Sequence, residues 1–203
     1  MRVMNPSTAP APRFTNSQRA LLAIVPALCV VVGYLFLPRP ESAVEARTGF
    51  DRAKLQNVLL PSKPQGLYPV DAVLGNKIRI LGSRLPDAPL QKGDSINVEV
   101  YFEALREMDR NWKMFVHIDR DGATYRIHGD HWPADGAYPT SYWQKKDIVR
   151  DALDKRVPLD APPGNYVVYM GFYIGDERLP FSGGDKKVHD GSNRVRVGQF
   201  KIQ

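Results

Sequence analysis

Cysteine is nearly missing from this chain. Its single copy, Cys29, excludes an intrachain disulfide and any metal site built from several thiolates. Acidic residues are missing altogether from the first 40 positions, where Arg2, Arg13, Arg19 and Arg39 stand alone. The rest of the chain carries 24 basic against 22 acidic residues, a net of +2, so the overall charge of +6 does not describe a basic globular surface. Nucleic acid is therefore not an expected partner. There is no Gly-rich phosphate loop, no dinucleotide fingerprint and no serine in a nucleophile-elbow context. No cofactor is expected, and no catalytic residue stands out.

The first 40 residues differ from the remainder. Residues 20–37, ALLAIVPALCVVVGYLFL, hold no charge. Eighteen residues rising ~1.5 Å each span ~27 Å, close to the hydrocarbon thickness of a bilayer. Pro26 and Gly33 are tolerated in membrane-spanning helices, and Tyr34 and Phe36 suit the lipid–water boundary. The alternative is a cleaved signal peptide, with a weak small-residue site at Val44-Glu45-Ala46. Signal cores, however, usually run only about 7–15 residues. The arginine bias before the run predicts a cytoplasmic tail over 1–19 and a single span over 20–37 in the cytoplasmic (inner) membrane. A linker would cover 38–66, bounded by prolines, and an extracytoplasmic (periplasmic) domain 67–203.

Beyond the linker the pattern is that of strands and turns. Gly75-Asn76 suits a tight hairpin between 70–74 and 77–81. In 95–104, Ile96, Val98, Val100 and Phe102 alternate with Asn97, Glu99, Tyr101 and Glu103, one face dry and the other wet. Trp112, Met114, Val116 and Ile118 share a face of the next strand. YVVYMGFYIG, residues 166–175, is apolar on both faces and reads as central in its sheet. Residues 177–181 read as one further strand. In the last strand the phase slips at Gly198, which predicts a bulge. About eight strands with turns every 8–12 residues predict an all-β fold, an antiparallel β-sandwich of immunoglobulin-like or jelly-roll-like type. Pro163-Gly164-Asn165-Tyr166 fits a tyrosine corner, in which the Tyr166 hydroxyl bonds back to upstream backbone.

A longer constellation runs through this domain: Trp112…Phe115-Val116-His117-Ile118-Asp119…Gly122, Gly129-Asp130-His131…Pro133…Gly136…Tyr138-Pro139-Thr140…Trp143…Asp147…Asp151, and Pro163-Gly164…Tyr166…Gly171-Phe172-Tyr173…Arg178-Leu179. Over residues 70–202 it resembles the extracytoplasmic C-terminal β-sandwich domain of family-39-like bacterial membrane glycosyltransferases. Related copies occur on membrane proteins of unknown function. The catalytic part of those transferases is a bundle of many spans, and nothing here corresponds to it. The resemblance therefore implies an accessory domain and not transferase activity. One departure is Lys146, where the pattern usually has Gly before Asp147.

Two sets of residues invite a functional reading. Trp132, Tyr142, Tyr169 and Tyr173 with Asp135 have the chemistry of a glycan platform, since sugar C–H faces stack on rings and carboxylates take hydroxyls. His117, Asp130, His131, Pro139, Trp143 and Tyr166 read as residues that order the long loop and its junctions. In particular, His117 and Asp130 are expected to hydrogen-bond that loop to the sheet. A metal site of His117, His128 and His131 is a weaker alternative, because in a strand His128 and His131 point to opposite faces unless the chain turns at Gly129. The expected function is that of a membrane-anchored, non-enzymatic accessory or binding module, directed towards envelope glycan. The alternatives are a structural subunit docking onto a partner membrane protein and, behind it, a metal-dependent hydrolase.

Overall fold

A computed structural model describes residues 50–203; the expected tail at 1–19 and span at 20–37 lie outside them. Among the described residues no helix is long and apolar enough to cross a membrane, and the helical segments are single 3-10 turns. The described chain is all-β. Its strands are β1 Leu59–Leu60, β2 Ala72–Leu74, β3 Ile78–Arg84, β4 Ser95–Ala104, β5 Lys113–Arg120, β6 Arg126–His128, β7 Ile148–Arg156, β8 Gly164–Ile174, β9 Glu177–Arg178, β10 Phe181–Gly184 and β11 Val195–Ile202.

They form two sheets in which every strand pairing is antiparallel. One is ordered β1-β7-β4-β3-β2-β10. The other is ordered β11-β8-β5-β6, with β9 added to the end of β8. A single hydrophobic cluster joins Ile96, Val98, Val100 and Phe102 of β4 to Met114, Val116 and Ile118 of β5 and Val168, Met170 and Phe172 of β8. The alternation along β4 explains this arrangement. With every second side chain apolar, burying that face withdraws each of these residues from water, a gain of ~1.5–3 kcal/mol apiece.

Several local expectations meet their physical cause here. Gly75 (φ 58°) and Asn76 (φ 53°) both lie in the left-handed region, which the tight turn between β2 and β3 requires. Strand β8 is central, flanked by β11 and β5. The register of β11 against β8 shifts between Arg196 and Gly198, which is the bulge. Tyr166 is fully buried, and its hydroxyl donates to Pro162 O at 2.7 Å.

Three expectations need correction. Residues 50–66 are not linker. Leu55 is in the core, β1 pairs with β7, and Arg52 bonds Asp147, so this segment closes an edge of the larger sheet. Residues 177–181 are not one strand, because the chain leaves β9 in one sheet and enters β10 in the other. Tyr101 is not on a wet face. It is buried under Arg84, whose guanidinium lies 5.6 Å from the ring centre, and its hydroxyl donates to Glu99 at 2.5 Å.

Candidate functional site

The outward face of the five-stranded sheet brings together residues that the sequence presents separately. In β5, Met114, Val116 and Ile118 point to the core, which leaves Phe115, His117 and Asp119 on the other face. Across from them, His117 pairs with His128 of β6, and the same register continues past the strand's end to a bridge between Met114 and His131. Gly129 N donates to Val116 O at 2.8 Å, and Met114 and His131 exchange two backbone bonds. The chain therefore does not turn at Gly129. Alternation holds, so His128 and Asp130 lie on the outer face with His117, while His131 points the opposite way.

The result is a cluster of His117, His128 and Asp130 in which one potential ligand atom from each lies within 4.8 Å of the others. The two imidazoles meet edge to face with ring centres 5.4 Å apart. Asp130 Oδ1 accepts the Val116 N–H at 3.3 Å, which ties its carboxylate to β5. His117 is 8 % exposed, and its Nδ1 has no hydrogen-bond partner among the described residues. Burial, with Arg126 nearby, pushes its pKa down to about 4, so this ring is neutral at pH 7.

Beside the cluster lies an open cavity of about 250 Å³ lined by Phe115, His117, Asp130, Tyr173, Asp176 and Arg178. Gly171, the register partner of Phe115, makes room for it. A Cβ at Gly171 would lie 2.4 Å from the Phe115 ring. Arg178 stacks on that ring at 4.5 Å, and Arg194 covers Tyr169 at 4.4 Å. Arg194 also joins Arg126 on Asp119, at 2.9 and 2.5 Å. Burial disfavours the Asp119 carboxylate, but these two guanidinium groups outweigh it and hold its pKa below the usual range.

The long loop, residues 129–147, is built differently. His131 Nδ1 lies 2.7 Å from Gly129 O, and Nε2 lies 2.9 Å from Asp151, a carboxylate only 1 % exposed that also accepts Ala134 N–H at 2.7 Å. Pro139 starts a 3-10 turn, Thr140–Tyr142, and accepts the Tyr142 N–H at 2.9 Å. Trp143 is fully buried, and its Nε1 donates to Tyr138 O at 3.0 Å. Asp147 accepts from Arg52, Tyr138 and the Gln144 amide, while Arg52 also contacts the Tyr138 hydroxyl. Thr140 Oγ1 accepts the Trp112 amide at 2.7 Å.

The residues expected to form one glycan platform are therefore dispersed. Tyr169 and Tyr173 share the outer face of β8, but Arg194 occupies the face of Tyr169, and only Tyr173 lines the cavity. Asp135 borders a different concavity of about 390 Å³ on the six-stranded sheet, with Asn97, Glu99 and Arg150. Trp132 is 45 % exposed and lines neither of these two concavities. Tyr142 is not free, since it packs at 4.9 Å against Phe50, a residue expected in the linker. His117, expected to tie the loop to the sheet, makes no such bond through Nδ1; Asp130 does, to Val116. His131 does not belong to the histidine cluster, and Asp130 takes its place. Phe115, Asp176 and Arg178 were missed. For Phe115 the signal was present, because strand alternation alone puts it on the His117 face. Asp176 and Arg178 arrive through the Gly175 turn; Arg178 stands in the longer constellation, but nothing there gives it a place in a site.

No family model matches this chain, and no curated protein is similar to it in sequence. Among solved structures, Pseudomonas fluorescens alkylpurine DNA glycosylase AlkC bound to DNA containing an abasic site analog is similar over 63 % of this chain and 30 % of that chain, at 14 % identity and a TM-score of 0.34. This chain thus spans less than a third of that structure's length, and a likeness at this level carries no argument about fold or function.

Proposed function

We propose that this chain is a single-span protein of the cytoplasmic membrane whose extracytoplasmic domain is a non-enzymatic accessory module binding envelope glycan. Its fold in this reading is a β-sandwich of immunoglobulin-like or jelly-roll-like type. The observation that carries the binding role is the open cavity beside Tyr173, where a ring and the polar groups of Asp130, Asp176 and Arg178 face one space. Its volume of about 250 Å³ lies just below the ~300–1,000 Å³ of small-ligand pockets, so in this reading it takes part of a glycan and leaves the rest in solvent. The charge-free run at 20–37 and its flanking arginines support the anchor, and the resemblance to transferase-attached domains supports the accessory role.

The test is a glycan array probed with the detergent-solubilised full-length chain, wild type and Tyr173→Ala. The expected outcome is binding to a subset of glycans that the substitution weakens about tenfold, the scale of one lost ring contact. If wild type binds no glycan, the sugar reading fails and the docking subunit replaces it. A reporter active only outside the cytoplasm, fused after Gln203, checks the topology. Its signal belongs in the membrane fraction if the run at 20–37 is an anchor.

A further inference from the structure

We propose that His117, His128 and Asp130 form a binding site for a divalent transition-metal ion, Zn²⁺ in class, on the outer face of the five-stranded sheet. Strand geometry alone brings them together. His117 and His128 are register partners, and Asp130 follows His128 by two residues on the same face. Two imidazoles and a carboxylate are a donor set that such ions select, and three protein ligands leave a fourth position open.

The distances suit this use. Bonds of ~2.0–2.1 Å in a tetrahedral site place donor atoms about 3.3 Å apart. Here one donor from each residue already lies within 4.8 Å of the others. Closing that gap needs only rotation of two side chains, because His128 and Asp130 are exposed while His117 is fixed in the sheet.

A second observation is the unmet bonding capacity of the His117 ring. His117 is more than nine-tenths buried, yet its Nδ1 has no partner. Buried imidazole nitrogens are ordinarily satisfied, and a ring left partly unsatisfied at such depth has unspent bonding capacity. Arg126 and Arg194 disfavour positive charge at His117, but both pair with Asp119, and Arg194 also pairs with Asp190, which offsets much of their charge. Arg178 keeps its charge on the Phe115 ring with a bond to Ser192 O, so the Asp130 carboxylate is the anionic ligand that an incoming cation requires. The Val116 N–H on Asp130 Oδ1 supplies the outer hydrogen bond that orients a ligating carboxylate. His117 and Asp130 also line the cavity, so the ion and a molecule held there would share these two side chains. The metal site stands whether or not that molecule is a glycan.

The experiment uses the tag-free full-length chain, stripped with chelator. Zn²⁺ alone is titrated by calorimetry, and Co²⁺ is followed by its visible absorption. One equivalent of Zn²⁺ is expected at micromolar concentration, with Co²⁺ bands that Zn²⁺ displaces. His128→Gln and Asp130→Asn, both at exposed positions, should each weaken Zn²⁺ binding at least ~10-fold with unchanged circular dichroism. His189→Gln removes a histidine that stacks on Phe181 elsewhere, and it should leave the affinity unchanged. Failure of the wild type to bind Zn²⁺ overturns the proposal. So does affinity that survives both ligand substitutions, or that falls equally in His189→Gln.

Discussion

His131 sits between two groups that only accept hydrogen bonds, and this makes folding stability depend on pH in a defined direction. Its Nδ1 faces Gly129 O at 2.7 Å, and its Nε2 faces the Asp151 oxygens at 2.9 and 3.1 Å. A carbonyl and a carboxylate both require a donor, so the ring that satisfies both is the imidazolium. Burial opposes that charge, but the hydrogen bond and charge of Asp151 outweigh it and raise the pKa above the ordinary 6.5. A group whose pKa is raised on folding contributes fully below its unfolded pKa, and the contribution is lost as pH rises through the folded value. His117 acts with the opposite sign. Held down to about 4, it stays neutral in the fold while the unfolded ring takes a proton, so stability falls as pH drops from 6.5 towards 4. Stability should therefore peak near the unfolded histidine value and decline on both sides. Near pH 6, His131→Gln leaves Asp151, 1 % exposed, without its cation. Breaking a buried pair costs ~3–5 kcal/mol, and the Ala134 N–H that remains on Asp151 brings the expected loss to about 2–3 kcal/mol. Urea unfolding of the full-length chain in chelator, from about pH 5 to 9, measures this. Wild-type stability that rises between pH 6.5 and 9, or an alkaline decline that survives in His131→Gln, refutes the reasoning.

Other substitutions separate buried from exposed roles in the same loop. Trp143→Ala should cost ~3–5 kcal/mol in denaturant unfolding, because the ring is fully buried against Phe102 and Phe172. Trp132→Ala, at 45 % exposure, should stay within ~0.5 kcal/mol of wild type, and a large loss would show the ring to be structural. Tyr166→Phe removes the bond to Pro162 O and should destabilise by about 1 kcal/mol; a neutral result would remove the corner from the account of the fold. Lys146→Gly should stabilise by about 0.5 kcal/mol in the same assay. Lys146 is held at φ 75°, where a side chain costs ~1–2 kcal/mol and glycine loses only part of that in entropy.

What the sequence by itself determined was local or periodic. Alternation in β4 decided which face is dry, because the side-chain period of a strand is two whatever it pairs with. Gly75-Asn76 decided a turn, because the left-handed region admits few other residues, and Gly198 marked the bulge by breaking a phase. The candidate site was legible only in fragments, since its chemistry depends on which strands become neighbours. His117 and His128 were visible as residues, but the register across β5 and β6 decided that Asp130 joins them and that His131 turns to Asp151. Arg178 reaches Phe115 because β9 folds back on β8, and Arg52 reaches Asp147 and Tyr138 from almost a hundred residues away. No pattern along one strand encodes such contacts. They arise when two sheets and the connections between them compete to cover the same apolar surface, and that competition is settled only in the folded chain.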